Sequence, residues 1–266
     1  MEVIEYARCR LEVEGPLATY VLDNPDQLNA ADPEMLEGLA QTLVEIKKPR
    51  RNIRCLMITG AGRGFCTGAN VLGMGKKHDK PKSAFSAVDT AYHPTIRHLR
   101  DVTIPIVTAV NGPAVGFGVA LAMSGDISVA ARSAYFFLSY VNLASAPDCG
   151  TTWSLPQRIG LPRARSMMLR GDRIPADQAF DWGLINEVFD DDVFESEARR
   201  VATEIANGPT IALIEMKRLL NESELRSLDE QLEAEARSVL ITSRTKDNVG
   251  ALAAMKSKEK PVFNGE

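Results

Sequence analysis

Three short stretches carry groups that could act together on a carbonyl compound. In APDCGTTWSLPQRIG (146–160) a single carboxylate, Asp148, stands between a proline and a cysteine. The loops FCTGAN (65–70) and GPAVGFG (112–118) carry glycines that let backbone N–H groups approach a ligand closely. Two such donors converging on one point make an oxyanion hole, which holds a carbonyl oxygen as it gains charge; losing one donor costs on the order of 3 kcal/mol. A carboxylate opposite them could move a proton. Each feature also has a plainer structural reading. A glycine-rich loop is a tight turn. Asp148, followed by glycine, threonines and an apolar run, is placed to cap a helix.

The elements that must hold these groups can be read from apolar patterning. RCRLEVE and LATYVLD flank Gly15-Pro16 as a hairpin. Asp32-Pro33 starts a helix, with Met35, Leu36, Leu39, Leu43 and Ile46 on one face. IRCLMITG (53–60) is a buried strand running into the first glycine loop. A polar segment with Lys76, Lys77, Lys80 and Lys82 follows, then a helix through His93 and Arg100. PIVTAVNG (105–112) is a second buried strand, AVGFGVALAM (114–123) a helix with a glycine-rich first turn, and DISVAAR a third strand. This alternation predicts an α/β layered core. From Thr151 onward the chain reads as mostly helical, with one short strand at GLINEVF and a Ser-x-x-Glu capping box at SLDEQLEAEARSVL. The helical end is too elongated and amphipathic to form a compact unit of its own, so it should pack on a neighbour.

Composition limits the function classes. The 266 residues are 45% apolar and 25% charged, with a net charge of −4 and no block of basic residues, so no nucleic-acid partner is expected. Cys9, Cys55, Cys66 and Cys149 form no C-x-x-C pair, which argues against a zinc site or a disulfide framework and fits a reducing compartment. The N-terminus is charged from its second residue, and no stretch approaches the ~20 apolar residues of a membrane span. The expectation is a soluble cytoplasmic protein without membrane contact.

In order, ITGAGRGFCTGAN, PIVTAVNGPAVGFGVALAMSGDISVAAR, APDCGTTWSLPQRIG, AFDWGLINEV and the closing KEKPVFNGE resemble the crotonase superfamily of enoyl-CoA hydratases and isomerases, from about Val13 to Phe263. The resemblance implies a crotonase-like core of ββα repeats over residues 1–200, carrying an acyl-CoA site. It also implies a helical region over 201–266 that assembles a homotrimer or a dimer of trimers. The oxyanion-hole amides would belong to Ala69 and Phe117. Relatives usually have glycine in place of Phe117, and a phenyl ring there should narrow the acyl pocket. Coenzyme A contacts would fall on Gln27 and Leu28 of NPDQLNA and on Asn70, Val71 and Leu72, with asparagine at 70 where the family commonly has aspartate.

Hydratases of this family use two glutamates; the matching places here hold Ala120 and Tyr140, neither of which can do that work. Asp148, eight residues after Tyr140, matches the acidic residue of members that move a double bond. PDCGTTW is similar to PDCGGTW of the ring-1,2-epoxyphenylacetyl-CoA isomerases. The resemblance therefore implies an acyl-CoA double-bond isomerase of the Δ3–Δ2 type, with Asp148 as a single proton shuttle, Tyr140 and His93 lining the substrate pocket, and no metal or redox cofactor. The alternatives are a ring-epoxide isomerase, an aryl-CoA displacement enzyme with His93 as base, and a silent acyl-CoA-binding protein. His93 lies where aryl-CoA dehalogenases carry a histidine, although a surface histidine is the plainer reading. Asp126 is read as structural, and Trp153 and Trp182 as packing residues.

Overall fold

The computed structural model describes residues 1–70 and 87–266. The apolar runs become β2 (Cys9–Glu14), β3 (Leu17–Leu22), β4 (Cys55–Gly60), β5 (Ile106–Val110) and β7 (Ile127–Ala131). With β1 (Glu2–Tyr6) and β10 (Glu187–Phe189) they form a seven-stranded sheet in the order β1-β2-β3-β4-β5-β7-β10. The first three strands are antiparallel, with Cys9 opposite Leu22 across the hairpin, and every pairing from β3 to β10 is parallel. β1 is an addition to the sequence reading. Its EVIEY is largely exposed at the sheet edge, so it lacks the apolar continuity of the buried strands.

Alternate side chains of the sheet face two layers. Tyr20 donates its hydroxyl to the Met35 carbonyl at 2.8 Å, tying β3 to α1 (Pro33–Ile46). Thr19, Val21 and Met57 instead share a cavity wall with Phe194 and Ala198 of α6 (Phe194–Ala206). α1 starts as expected: Asp32 accepts a hydrogen bond from the Met35 amide at 3.0 Å, and the five apolar residues of its predicted face are all buried. The expected division at residue 200 falls inside α6, whose Val201, Ala202 and Ala206 are buried with the core.

A second sheet of three short strands, β6 (Ala114–Val115), β8 (Tyr135–Phe137) and β9 (Arg173–Pro175), lies in the order β6-β8-β9. β5-β6-α3 (Phe117–Ala122) and β7-β8-α4 (Thr151–Arg170) repeat a strand, strand, helix unit, which is the layered α/β pattern anticipated. The helix expected over 114–123 is shorter than its sequence pattern, because Ala114 and Val115 pair with β8 before α3 begins. α4 is two helices joined at Gly160, whose φ of 76° and ψ of 154° break the helical path.

The remaining helices are α2 (His93–Arg100), which follows a π-helical turn at Val88–Tyr92, and α5 (Ala176–Trp182), α7 (Thr210–Ser223), α8 (Leu228–Thr242) and α9 (Lys246–Ser257). Ser227 and Glu230 form the predicted capping box of α8. Asp126 is structural, as expected: it accepts from the Ile106 amide at 2.7 Å and pairs with Lys217 at 2.8 Å, joining β5 to α7. Trp153 departs from the packing expectation. It is 51% exposed, with the Arg100 guanidinium 4.5 Å from its ring.

Candidate active site

The two glycine loops meet. Cys66 pairs with Ala114 as an isolated parallel bridge: its amide donates to Pro113 O at 3.1 Å and its carbonyl accepts from Val115 at 2.9 Å. Two glycines permit this approach. A Cβ on Gly118 would stand 2.0 Å from the Cys66 oxygen, and one on Gly68 would stand 2.8 Å from the Val115 oxygen. Gly68 also has φ of 92°, a conformation few side chains tolerate.

A second bridge joins Ala31 to Ala69. Ala31 donates to the Gly68 carbonyl at 2.7 Å and accepts from the Asn70 amide at 2.9 Å, so it grips the peptides on either side of Ala69. In a parallel ladder the residue between those two bonds directs its own amide to the opposite side. Among the described residues the Ala69 and Phe117 amides donate to no protein acceptor. α3 has six residues, too few for its dipole to matter much, so the donors themselves are what this loop offers.

Phe117, expected to narrow the acyl pocket, is buried. Its ring is 3% exposed and packs edge-to-face on Tyr92, with centroids 5.1 Å apart. Tyr92 is itself buried and donates its hydroxyl to the Ala31 carbonyl at 2.9 Å. Burial pushes the Tyr92 phenol well above its ordinary value, and burial likewise pushes the Cys66 thiol up to about 12.

Asp148 is not a helix cap. The residue preceding α4 is Gly150, in the left-handed region, and no side chain caps that helix. Asp148 reaches α4 only through its main chain: its carbonyl accepts from the Thr151 amide at 3.1 Å and the Thr151 hydroxyl at 2.9 Å. The half-buried carboxylate turns the other way, where Oδ1 accepts the Tyr140 hydroxyl at 2.8 Å. Cys149, at φ of 53°, and Gly150, at 71°, make two successive left-handed residues, and this reversal separates the carboxylate from the helix start. Burial, reinforced by the Asp148 charge, raises the Tyr140 phenol and the neighbouring Cys149 thiol, so both keep their protons at neutral pH.

A cavity of about 550 Å³ has Ala120 and Cys149 in its wall, together with Leu99, Met123, Trp153 and Lys217. His93 is half-buried at the start of α2. Gln27 and Leu28 lie against the first glycine loop: the Leu28 carbonyl accepts from the Thr67 amide at 3.2 Å, and the Gln27 side chain accepts from Asn70 Nδ2 at 3.0 Å. Val71 and Leu72, like Lys76, Lys77, Lys80 and Lys82, lie outside the described residues. Sequence reading missed the part played by Tyr92. Its partners Ala31 and Phe117 are distant in sequence, and the resemblance to aryl-CoA dehalogenases pointed to Tyr92 only as a pocket-lining ring, at a place where those relatives carry a tryptophan.

The enoyl-CoA hydratase/isomerase family model matches residues 12–266. The chain belongs to this family. Its members act on CoA thioesters. The 1,2-epoxyphenylacetyl-CoA isomerase of Escherichia coli (strain K12) is 37% identical over 255 residues, covering 96% of this chain and 97% of that protein. The 4-chlorobenzoyl coenzyme A dehalogenase-2 of an Arthrobacter species is 27% identical, covering 91% and 88%. Among solved structures, an enoyl-CoA hydratase from Bacillus anthracis superposes with a TM-score of 0.91 at 28% identity, covering 98% of this chain and 100% of that one. The mixed α/β architecture is that of the family's solved members, and among the described residues no helix is long and apolar enough to cross a membrane.

Proposed function

We propose that this family member isomerises an acyl-CoA by moving a double bond from the 3 to the 2 position. Asp148 takes a proton from the carbon next to the thioester, the C–H electron pair passes into the dienolate, and the thioester oxygen receives the charge. The Ala69 and Phe117 amides hold that oxygen. Asp148 then returns the proton two carbons away, so one base serves both transfers and no net proton is exchanged. Coenzyme A lies along Gln27, Leu28 and Asn70, continuing toward Val71 and Leu72, and the acyl group is flanked by Tyr140 and His93. The observation that carries this reading is the Asp148 carboxylate, which is half-buried, absent from the helix cap and oriented by Tyr140.

Ala120 and Tyr140 stand where hydratases hold their two carboxylates, so hydration of crotonyl-CoA should be negligible beside isomerisation. The assay follows 2-enoyl-CoA formed from a 3-enoyl-CoA, next to hydration of crotonyl-CoA by the same preparation. Comparable turnover in both would overturn the one-base reading. No formation of 2-enoyl-CoA would favour the binding-protein alternative.

A second reading, isomerisation of a ring epoxide on an aryl-acetyl-CoA, is supported by the 37% identity to the E. coli isomerase and by the PDCGTTW stretch. It uses the same carboxylate and amides on a different acyl group. Offering the 3-enoyl-CoA and the ring-epoxide thioester to one enzyme preparation separates the two readings by their kcat/KM ratio.

A further inference from the structure

We infer that Tyr92, added to the Cys66–Ala114 bridge, fixes the spacing of the two oxyanion-hole amides, bracing the second glycine loop directly and the first through Ala31. This rests on the two-amide reading proposed above and adds to it the group that positions the donors.

An oxyanion hole works only if both donors are held within about 0.5 Å of the productive geometry before charge develops. Here the donors come from separate loops with about fifty residues between them; the Cys66–Ala114 bridge joins the loops upstream of both donors, and the spacing of the donors themselves needs a further brace. Tyr92 reaches both. Its hydroxyl donates to the Ala31 carbonyl, the same oxygen that accepts the Asn70 amide, so it bonds to the group gripping the Ala69 peptide. Its ring meets Phe117 at 73° between planes, next to the second amide. The side chain is 2% exposed, so both contacts are held in a packed interior. A π-helical turn, closed by the His93 amide on the Val88 carbonyl, ends at Tyr92. Such turns insert one residue into the helical path and recur at functional sites. The phenol's raised ionisation keeps it a donor throughout the neutral range. Tyr92 is thus a positioning residue, acting through Ala31 and Phe117.

The test reads the donors without requiring turnover. Butanoyl-CoA, saturated and unreactive to isomerisation, is labelled with ¹³C at the thioester carbonyl, and its infrared stretch is compared free and bound. Wild-type protein should lower the stretching frequency on binding. Tyr92→Phe, which keeps the ring and removes only the hydroxyl, should lose a large part of that shift and lower isomerase kcat by about 10-fold, with butanoyl-CoA affinity within about twofold of wild type. Phe117→Leu keeps the amide and removes the ring contact, and should lose part of the shift as well. Asp148→Asn should retain the whole shift. A Tyr92→Phe band at the wild-type position would overturn the brace and leave the two-amide reading intact. A wild-type band that does not move on binding would overturn both.

Discussion

Around Asp148, the side chains of Tyr92, Phe117, Tyr140 and Cys149 are each at least nine-tenths buried, and both phenols have carbonyl or carboxylate partners. Along α7, α8 and α9 the reverse holds: Leu220, Leu228, Leu232, Val239, Val249 and Met255 are each at least half exposed. The first region satisfies its side chains and, among the described residues, gives the Ala69 and Phe117 amides no protein acceptor. The second leaves apolar side chains in water although its ends are tied down. Arg54 on the entry to β4 donates to Thr210 at 2.6 Å, and Asp247 accepts from Asn264 and Gly265 at 2.7 and 2.9 Å. An apolar surface held this firmly suits contact with protein, and the homotrimer or dimer of trimers that the family resemblance implies is one assembly that would cover it.

The largest effect should come from the carboxylate. Asp148→Asn should lower isomerase turnover by at least ~100-fold, the low end of what a positioned base contributes, while melting close to wild type because no cap is lost. Full activity in that variant would remove Asp148 from the chemistry.

Gly118→Ala should disturb the loops next. Its added methyl meets the Cys66 carbonyl, and the backbone shift required should cost ~1–3 kcal/mol by chemical denaturation and depress turnover together with it. An unaltered melt would mean that the loops can separate freely. Tyr140→Phe should act more mildly, reducing kcat by about 10-fold or less with coenzyme A affinity retained, because it removes the hydrogen bond orienting Asp148 and keeps the ring.

On the helical face, Leu228→Glu combined with Leu232→Glu should leave the monomer's melt within roughly 1 kcal/mol, since both positions are solvated in the single chain. Light scattering should show smaller particles than wild type at micromolar concentration. A wild-type preparation that scatters as a monomer would refute the assembly.

A further effect is expected on stability at alkaline pH. Burial holds the Cys55 and Cys66 thiols up to about 12, above the ~8.5 of an unfolded chain. Between those values the unfolded chain releases protons that the folded one keeps. Stability is therefore full below ~8.5 and declines as pH rises toward 12, on the order of 1 kcal/mol per pH unit per thiol at most. Denaturant titrations at pH 8 and pH 10, on wild type and on Cys55→Ala, measure that slope.

How much of this was legible depended on length and locality. The buried strands β3, β4, β5 and β7 were readable because burial on both faces leaves continuous apolar runs. α1 was readable because its cap is local, Asp32 to Met35. The three-stranded sheet was not, since its strands have only two or three residues, too few for any period to register. Asp148 was visible as a residue worth suspicion, but its freedom from the helix cap depends on the left-handed pair Cys149–Gly150, and a cysteine in that conformation has no sequence signal. The Tyr92 brace depends on partners up to 61 positions away, which only the folded chain brings together.

The two groups proposed to hold the thioester oxygen are main-chain amides, and that has a consequence for laboratory screening and for natural drift. Alanine scanning cannot delete them: position 69 is already alanine, and exchanging the side chain at 117 removes a packing contact but not the N–H. A mutational map of this enzyme would therefore under-report half of its chemistry, registering it only through Gly68, Gly118 and the residues that brace them. Replacing a single backbone amide by an ester, through chemical ligation or an α-hydroxy acid, is the change that would remove one donor and little else.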